Sequence, residues 1–234
     1  MARHFGIVGV SPEGAAICYR QVFHHGAEML PPHLQPVVSV HNLPFADYVR
    51  AIRKDDWLGV GEMLRESANK LASIGAEFCF SPDNAVQQAV QIAEVGCPIP
   101  WLKMTDAVGG AIARDGRNTV GVIGTKVVTG GSVYQTDLGI RGIKLVRPDD
   151  RDADTLESII FDQLVYGSIR EESRDEIVGI VRRLGDKGCE GVILGCSEAP
   201  LAITDTNSPL PIYNASEIMS EQAIRHAGAD MALG

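Results

Sequence analysis

The feature that most constrains this chain is a short apolar run, residues 192–194, that lies between Gly191 and Gly195. Three residues are too few for a helix, so we predict a buried strand bounded by turns. The chain turns after Gly195 and presents Cys196, Ser197 and Glu198 in succession. Because parallel α/β sheets place their chemistry at the carboxyl ends of strands, this turn is a candidate functional site.

A second stretch repeats the same pattern earlier in the chain. Another short apolar run, residues 78–80, ends in a polar turn that carries Asp83 and Asn84. We therefore predict two half-sites that face one pocket, with Asp83 in one and Cys196 in the other.

Strands and helices alternate along the whole chain with short connections, which predicts an α/β fold with parallel sheets and helices on both faces. Strand-turn-helix patterns that open at Gly9 and Gly124 predict two similar Rossmann-like halves. The expected domains are residues 1–103 plus 210–234, and residues 104–209. Expected strands cover residues 4–10, 36–42, 76–81, 99–102, 119–124, 144–147, 192–194 and 211–214. Expected helices cover residues 15–26, 46–74, 85–95, 105–115, a segment around Tyr134, 153–188 with a break near 167, and 215–227.

Charge and composition exclude several classes of function. The net charge is −9 and no basic block is present, which argues against nucleic-acid binding. No apolar run approaches the roughly 20 residues that span a bilayer, and the N-terminus leads directly into a strand, so we expect no membrane partner and a cytoplasmic location. The five cysteines are scattered and odd in number, which argues against a disulfide framework. Neither a zinc motif nor a dinucleotide fingerprint is present, so we expect no metal and no nicotinamide cofactor.

Three segments resemble the aspartate/glutamate racemase superfamily, which comprises cofactor-independent racemases and their isomerase and decarboxylase relatives. They are residues 9–13 (Gly-Val-Ser-Pro-Glu), residues 121–125 (Gly-Val-Ile-Gly-Thr) with Tyr134 downstream, and residues 194–201 (Leu-Gly-Cys-Ser-Glu-Ala-Pro-Leu). The resemblance covers nearly the whole chain in order. It implies two pseudo-symmetric α/β domains with the active site between them, a small carboxylate or amino-acid substrate, no cofactor and a homodimer.

The resemblance also shows where this chain departs from the pattern. Cys196 falls on the second catalytic cysteine of two-cysteine racemases, whereas the first, normally in Cys-Asn-Thr, is replaced in Asp83-Asn84-Ala85. Further departures are Val128-Thr129 in place of Thr-Met, Asn214-Ala215 in place of Asp-Thr, and Met219 in place of a histidine.

These residues give a first assignment of roles. Cys196 and Asp83 are the candidate opposed acid/base groups, although Asp83 could instead cap the helix that begins near Ala85. A carboxylate base that works near neutral pH needs its pKa raised by burial or by a neighbouring carboxylate; Glu198 could be that neighbour, or could cap its own turn. The candidate substrate-binding residues lie at strand ends or within the motifs of the resemblance. They are Ser11, Asn84, Ala85, Thr125, Lys126, Ser197 and Glu198. Each of them taken alone could instead be a turn, cap or surface residue.

Three functions remain open from the sequence. The first is a racemase or epimerase that uses Cys196 and Asp83. The second keeps the fold but is an isomerase, decarboxylase or lyase that uses Cys196 alone. The third is a carboxylate-binding relative without catalysis. The altered pocket residues argue against ordinary aspartate or glutamate as the best substrate.

Overall fold

The computed structural model describes residues 2–229 and shows an α/β fold with two parallel sheets. It divides into two compact units, residues 2–104 with 219–229 and residues 105–218. The first part of the chain forms β1 (Phe5–Gly9), α1 (Pro12–Met29), β2 (Val38–Asn42), α2 (Phe45–Ile52), α3 (Trp57–Ser73), β3 (Phe78–Phe80), a 3-10 helix (Asn84–Ala89) and α4 (Val90–Glu94). The remainder forms α5 (Met104–Arg114), β4 (Thr119–Gly124), α6 (Lys126–Gly130), α7 (Gln135–Ile140), β5 (Lys144–Val146), α8 (Asp150–Asp162), a 3-10 helix (Leu164–Tyr166), α9 (Glu171–Asp186), β6 (Val192–Gly195), a 3-10 helix (Ala199–Leu201), β7 (Ile212–Asn214) and α10 (Ala215–Gly228).

The first sheet has the order β2-β1-β3, and both pairings are parallel. Its central strand β1 is buried along its full length. The strand that we expected at residues 99–102 is reduced to a single bridge between Trp101 and Cys79. Pro98 and Pro100 explain the difference, since neither has a backbone N–H to donate to a neighbouring strand.

The single helix that we expected over residues 46–74 is two helices. α2 ends at Ile52, and Asp55 adopts a positive φ of 53°, which a helix cannot continue through. Asp56 then caps α3, because its side chain accepts the backbone N–H of Gly59 at 2.9 Å. Similarly, Tyr134 precedes α7 instead of lying within a helix.

The second sheet has the order β5-β4-β6-β7 and is also parallel throughout. β7 pairs with β6, so residues 212–214 belong to this sheet, whereas we placed residues 210–234 with the first domain. The Tyr213 hydroxyl fixes the strand by donating to Asp115 and accepting from Arg117, both at 2.8 Å. Strand β7 is too short for its hydrophobic pattern to specify a partner, so these long-range contacts decide the pairing.

The two sheets share a local plan. In each, the central strand carries a glycine on which a leucine of the helix before the next strand packs: Gly6 lies under Leu71, and Gly121 lies under Leu184. A Cβ atom would come within 2.7 Å of the Leu71 side chain at Gly6, and within 2.9 Å of the Leu184 side chain at Gly121. The common orders β2-β1-β3 and β5-β4-β6 agree with the two similar halves inferred from the sequence.

Among residues 2–229, no helix combines the length and the apolar character that a membrane span requires.

Candidate active site

Asp83 joins the ends of two neighbouring strands in the first unit. Its Oδ2 atom accepts the backbone N–H of Val10 at 3.2 Å and that of Ser11 at 3.3 Å. The side chain is only 8% exposed. These bonds connect the turn after β3 to the turn after β1, so the carboxylate is held at the carboxyl ends of both strands.

The alternative that Asp83 caps its own helix is not what the structure shows. Asp83 occupies the N-cap position of the helix Asn84–Ala89, but its side chain makes no capping hydrogen bond there. The carboxylate instead lies against the start of α1, where a negative charge meets the positive end of the helix dipole. Hydrogen bonds from N–H groups favour the charged form of a carboxylate, so this setting stabilises Asp83 as an anion.

Gln87 fixes the loop that carries Asp83 and was missed by the sequence analysis. Its Nε2 group donates to the carbonyl oxygens of Ser81 at 3.1 Å and of Asp83 at 3.0 Å. The backbone N–H of Asp83 donates in turn to the Ser81 hydroxyl at 3.3 Å. The only sequence signal for Gln87 is a polar side chain one helical turn after Asp83, which many surface positions share.

The other first-unit candidates lie close to this loop. The Ser11 hydroxyl caps α1 by accepting the backbone N–H of Gly14 at 3.2 Å, which agrees with the N-cap alternative. Asn84 is buried and Ala85 partly buried, both in the helix that follows Asp83.

Cys196 and Glu198 form a hydrogen-bonded pair in the second unit. The Cys196 thiol donates to the Glu198 carboxylate, with 3.0 Å between Sγ and Oε2. Cys196, Ser197 and Glu198 are all buried in the turn after β6. Glu198 makes no side-chain capping bond to the helix Ala199–Leu201, and its carboxylate accepts the thiol of Cys196.

Two glycines bring the ends of β4 and β6 together. Gly124 and Gly195 are register partners, and a Cβ atom on Gly124 would lie 2.7 Å from the Gly195 carbonyl oxygen. Thr125 and Cys196 follow these glycines, so they leave the sheet from adjacent strand ends. Within residues 2–229 the buried Thr125 Oγ1 atom has no hydrogen-bond partner, and the hydroxyl does not cap α6.

Lys126 makes its contacts with two acidic residues, Asp154 and Glu157. Its ammonium forms an ion pair with Asp154, which raises the pKa of the lysine, and the side chain is exposed. Its backbone N–H donates to Glu157 at 2.7 Å. The backbone N–H groups that follow Gly9 and Gly124 are thus used within the protein, by Asp83 and Glu157.

Asn214 and Glu217 add a polar pair beside β6. Asn214 ends β7 opposite Leu194, and its Nδ2 donates to the Glu217 carboxylate at 3.0 Å. From the sequence, Asn214 stood out only as a departure from the family pattern, and Glu217 was not a candidate. An asparagine that precedes a helix is an N-cap signal, which is the one indication the sequence offers.

Asp83 and Cys196 thus belong to different units, and each lies at the carboxyl end of a strand.

Of the remaining cysteines, Cys18 is buried and its pKa is raised to about 12, and burial also raises the pKa of Cys189. Neither has the character of a nucleophile. Among the described residues, no group of three or more His, Cys, Asp or Glu side chains is arranged to hold a metal ion.

The matches between this chain and known proteins extend over nearly its whole length. The sequence model of the family described as Asp/Glu/Hydantoin racemase matches residues 7–223. A structure from Yersinia pestis, proposed to be an Asp/Glu racemase, is 26% identical with a TM-score of 0.85, covering 99% of this chain and 100% of that one. An aspartate racemase homologue from Pyrococcus horikoshii OT3 is also 26% identical, with a TM-score of 0.83, covering 97% of this chain and 100% of that one. The aspartate racemase of Picrophilus torridus shares the fold at 18% identity and a TM-score of 0.80, covering 97% and 94% of the two chains.

Proposed function

Because the chain belongs to the Asp/Glu/hydantoin racemase family, we propose that it is a racemase or epimerase that moves a proton at the α-carbon of a small amino acid or carboxylate. Cys196 and Asp83 are the two acid/base groups in this proposal, one for each face of the carbon. The reaction needs no cofactor, since both proton transfers are made by side chains of the chain. We also infer a homodimer, as the sequence resemblance implied, and a cytoplasmic location, as the sequence led us to expect.

The observation that carries this proposal is the buried pair of Cys196 and Glu198. A thiol at the end of a central-sheet strand, bonded to a carboxylate at 3.0 Å, can release its proton to that carboxylate and recover it. Proton abstraction from carbon requires the thiolate, and the neighbouring carboxylate supplies a place for the thiol proton. Cys196 can therefore act as acid or as base, with Glu198 as its proton partner.

Asp83 and Cys196 start the reaction in different protonation states. N–H donors hold Asp83 as a carboxylate, which is the form that can accept the α-proton. Cys196 rests as a thiol, so it is suited to deliver a proton to the opposite face. In the reverse direction both groups must begin in the less favoured state, and we expect kcat to differ between the two substrate enantiomers.

The family and the buried polar groups near each half-site support this substrate class. Thr125, Ser197 and Asn84 present hydroxyl and amide groups that suit the carboxylate and amino groups of a small amino acid. Ser11 and Ala85 contribute to the shape and donors of the first half-site. The departures at Ala85, Val128-Thr129 and Asn214-Ala215 favour a substrate other than ordinary aspartate or glutamate.

One observation favours a second candidate function. The Asp83 carboxylate is already used by the N–H groups of Val10 and Ser11, and a carboxylate stabilised in this way is a weak base. If Asp83 is purely structural, Cys196 is the one acid/base group. The same fold would then carry out a one-sided reaction such as an isomerisation, decarboxylation or lyase reaction.

Solvent-deuterium incorporation, followed by NMR over a panel of small amino and hydroxy acids, distinguishes these functions. We expect exchange at the α-carbon of one substrate class in the wild type, and a loss of several orders of magnitude in both Cys196→Ala and Asp83→Asn. Cys189→Ala removes a buried thiol from the same unit as Cys196 and is the matched control. Activity that survives in Asp83→Asn but not in Cys196→Ala would support the one-cysteine reaction. Thermal stabilisation by one compound without exchange or turnover would support a binding function instead.

A further inference from the structure

Thr125 has a buried hydroxyl that makes no hydrogen bond within residues 2–229. The residue follows Gly124 at the end of β4 and occupies the N-cap position of α6, yet its side chain makes no capping hydrogen bond. Burying a hydroxyl without a hydrogen bond costs free energy, and native proteins seldom keep a polar group in that state without a use for it. The Thr125 hydroxyl is therefore suited to a ligand.

The backbone of Thr125, in contrast, is held firmly. Its carbonyl oxygen accepts the N–H groups of Val128 and Thr129, each at 2.9 Å, and the Thr129 hydroxyl at 3.2 Å. On the other side of the same peptide group, the N–H of Lys126 donates to the Glu157 carboxylate at 2.7 Å. The last of these contacts reaches from another helix, α8, which lies 31 positions further along the chain.

Glu157 supplies the oxygen that the start of α6 needs. A carboxylate near the first turn of a helix stabilises the unpaired N–H groups there and the positive end of the helix dipole. An N-cap threonine ordinarily supplies such an oxygen from its own hydroxyl. In α6 the first N–H is served by Glu157 instead, so the Thr125 hydroxyl need not turn toward the helix.

Helix α8 is anchored by α9. Arg183 of α9 donates two hydrogen bonds to the buried carboxylate of Asp152 in α8, at 2.7 and 2.8 Å. Asp154 and Glu157 lie three positions apart on one face of α8, and both contact Lys126. Asp154 pairs with the Lys126 ammonium, whereas Glu157 accepts the Lys126 N–H. Of these two contacts, only the second acts on the main chain.

We propose that Glu157 is a positioning residue of the second half-site. It fixes the main chain after Thr125 and so holds the buried hydroxyl ready to donate to a carboxylate oxygen of the substrate. This inference rests on the proposed function, in which Thr125 binds the substrate. Glu157 acts through Thr125 and is not itself a catalytic residue.

The first test measures the Thr125 side chain without any substrate. Its χ1 angle is obtained by NMR from the three-bond couplings of its methyl carbon, and the methyl signal is assigned by its loss in Thr125→Ser. We expect a single rotamer in the wild type and a second populated rotamer in Glu157→Ala. Asp154→Ala is the matched control, because it removes the other α8 carboxylate that contacts Lys126, and it should keep the single rotamer. An unchanged rotamer in Glu157→Ala would overturn the proposal, whatever reaction the protein catalyses.

The second test follows α-deuterium exchange with the substrate that the panel identifies. We expect both Thr125→Val and Glu157→Ala to raise KM by about tenfold, because a hydrogen bond to a charged group is weakened or lost. The value of kcat should change by less than about threefold, since that bond is present in the ground state and in the transition state alike. Glu157→Gln keeps an oxygen acceptor and should hold KM within about threefold of the wild type.

The double variant separates positioning from a general structural role. If Glu157 acts through the Thr125 hydroxyl, then Glu157→Ala should raise KM no further in a protein that already carries Thr125→Val. Independent effects that multiply, or an equal rise of KM in Asp154→Ala, would refute the positioning role. Absence of exchange in the wild type would count against the proposed reaction, and the rotamer measurement would still decide the role of Glu157.

Discussion

The thiol of Cys196 donates a hydrogen bond to the carboxylate of Glu198, and both side chains are buried in the turn after β6. The two residues are separated by a single position in the chain, so the turn itself fixes their geometry. A thiol and a carboxylate that share one proton form a compact donor and acceptor at the end of the strand. This pair gives Glu198 a role that its position in the sequence alone did not settle.

Replacing Glu198 by glutamine should slow catalysis without unfolding the protein. The amide oxygen still accepts the thiol hydrogen bond, but it cannot take the proton. General acid–base groups typically contribute about a hundredfold to ten-thousandfold, so we expect at least a hundredfold loss of α-deuterium exchange in Glu198→Gln. Glu176→Gln, at an exposed ion pair in the same unit, should leave the rate unchanged. Equal exchange rates in the two variants would contradict the role of Glu198.

Asp83 should matter for stability as well as for catalysis. Asp83→Ala leaves the N–H groups of Val10 and Ser11 without their acceptor, and we expect the free energy of unfolding to fall by about 2 to 3 kcal/mol. Asp83→Asn keeps one oxygen acceptor and should lose only about 1 kcal/mol. Urea unfolding measures both values.

The exposed residue Asp186 provides the control for this series. Asp186→Ala should stay within about 0.5 kcal/mol of the wild type. If Asp83→Ala were as stable as Asp186→Ala, the carboxylate would not be anchoring the turn after β1.

A methyl group added at Gly195, the residue before Cys196, should disrupt the second half-site. The Cβ of alanine would meet the Ile123 carbonyl oxygen at 2.8 Å and the Val128 side chain at 2.7 Å, and the backbone atom cannot move aside cheaply. We expect Gly195→Ala to cost about 1 to 3 kcal/mol and to lower activity by displacing Cys196. In Gly139→Ala the new Cβ meets nothing within 4 Å, so that variant should be stabilised by about 0.5 to 1 kcal/mol. Circular-dichroism melting curves distinguish Gly195→Ala from Gly139→Ala. Equal melting temperatures for the two variants would argue against the close approach of β4 and β6.

Glu190 should contribute a pH-dependent part of the stability. Its carboxylate accepts the backbone N–H groups of Asn118 at 2.7 Å and Thr119 at 3.0 Å, and these bonds lower its pKa below the usual 4.5. The contribution is therefore fully present above about pH 4.5 and is lost as the pH falls through the lower folded-state value. Glu190→Gln should be less stable than the wild type at neutral pH.

The comparison across pH separates this charge effect from a simple loss of contacts. Between neutral pH and about pH 3, the urea midpoint of Glu190→Gln should fall less steeply than that of the wild type. Parallel curves for the two proteins would show that the carboxylate charge is not responsible.

Much of the fold could be predicted because it is encoded locally. Short apolar runs bounded by glycine, such as residues 192–195, gave the strands, and the motif around Cys196 gave the family. The break at Asp55 was missed because the apolar spacing continues across it and a positive φ leaves no periodic signal. The pairing of β7 was missed because partners of short parallel strands are chosen by contacts distant in sequence.

The candidate site was harder to predict for the same reason. Asp83 binds the N–H groups of residues that lie 73 and 72 positions away, which no local pattern reveals. Lys126 was an equal choice between a ligand and a surface residue until its ion pair with Asp154 was visible. Only Cys196 and Glu198, two positions apart, could have been paired from the sequence, and even there the direction of the bond required the structure.

The contact between Gly124 and Gly195 has one more consequence. Because a Cβ atom on Gly124 would lie 2.7 Å from the Gly195 carbonyl oxygen, the separation of Thr125 and Cys196 depends on the main chain at these two glycines. Substitutions of core side chains should therefore leave the separation of Thr125 and Cys196 unchanged. Laboratory evolution toward a bulkier substrate should therefore leave these two glycines untouched and draw its gains from the loops that surround them.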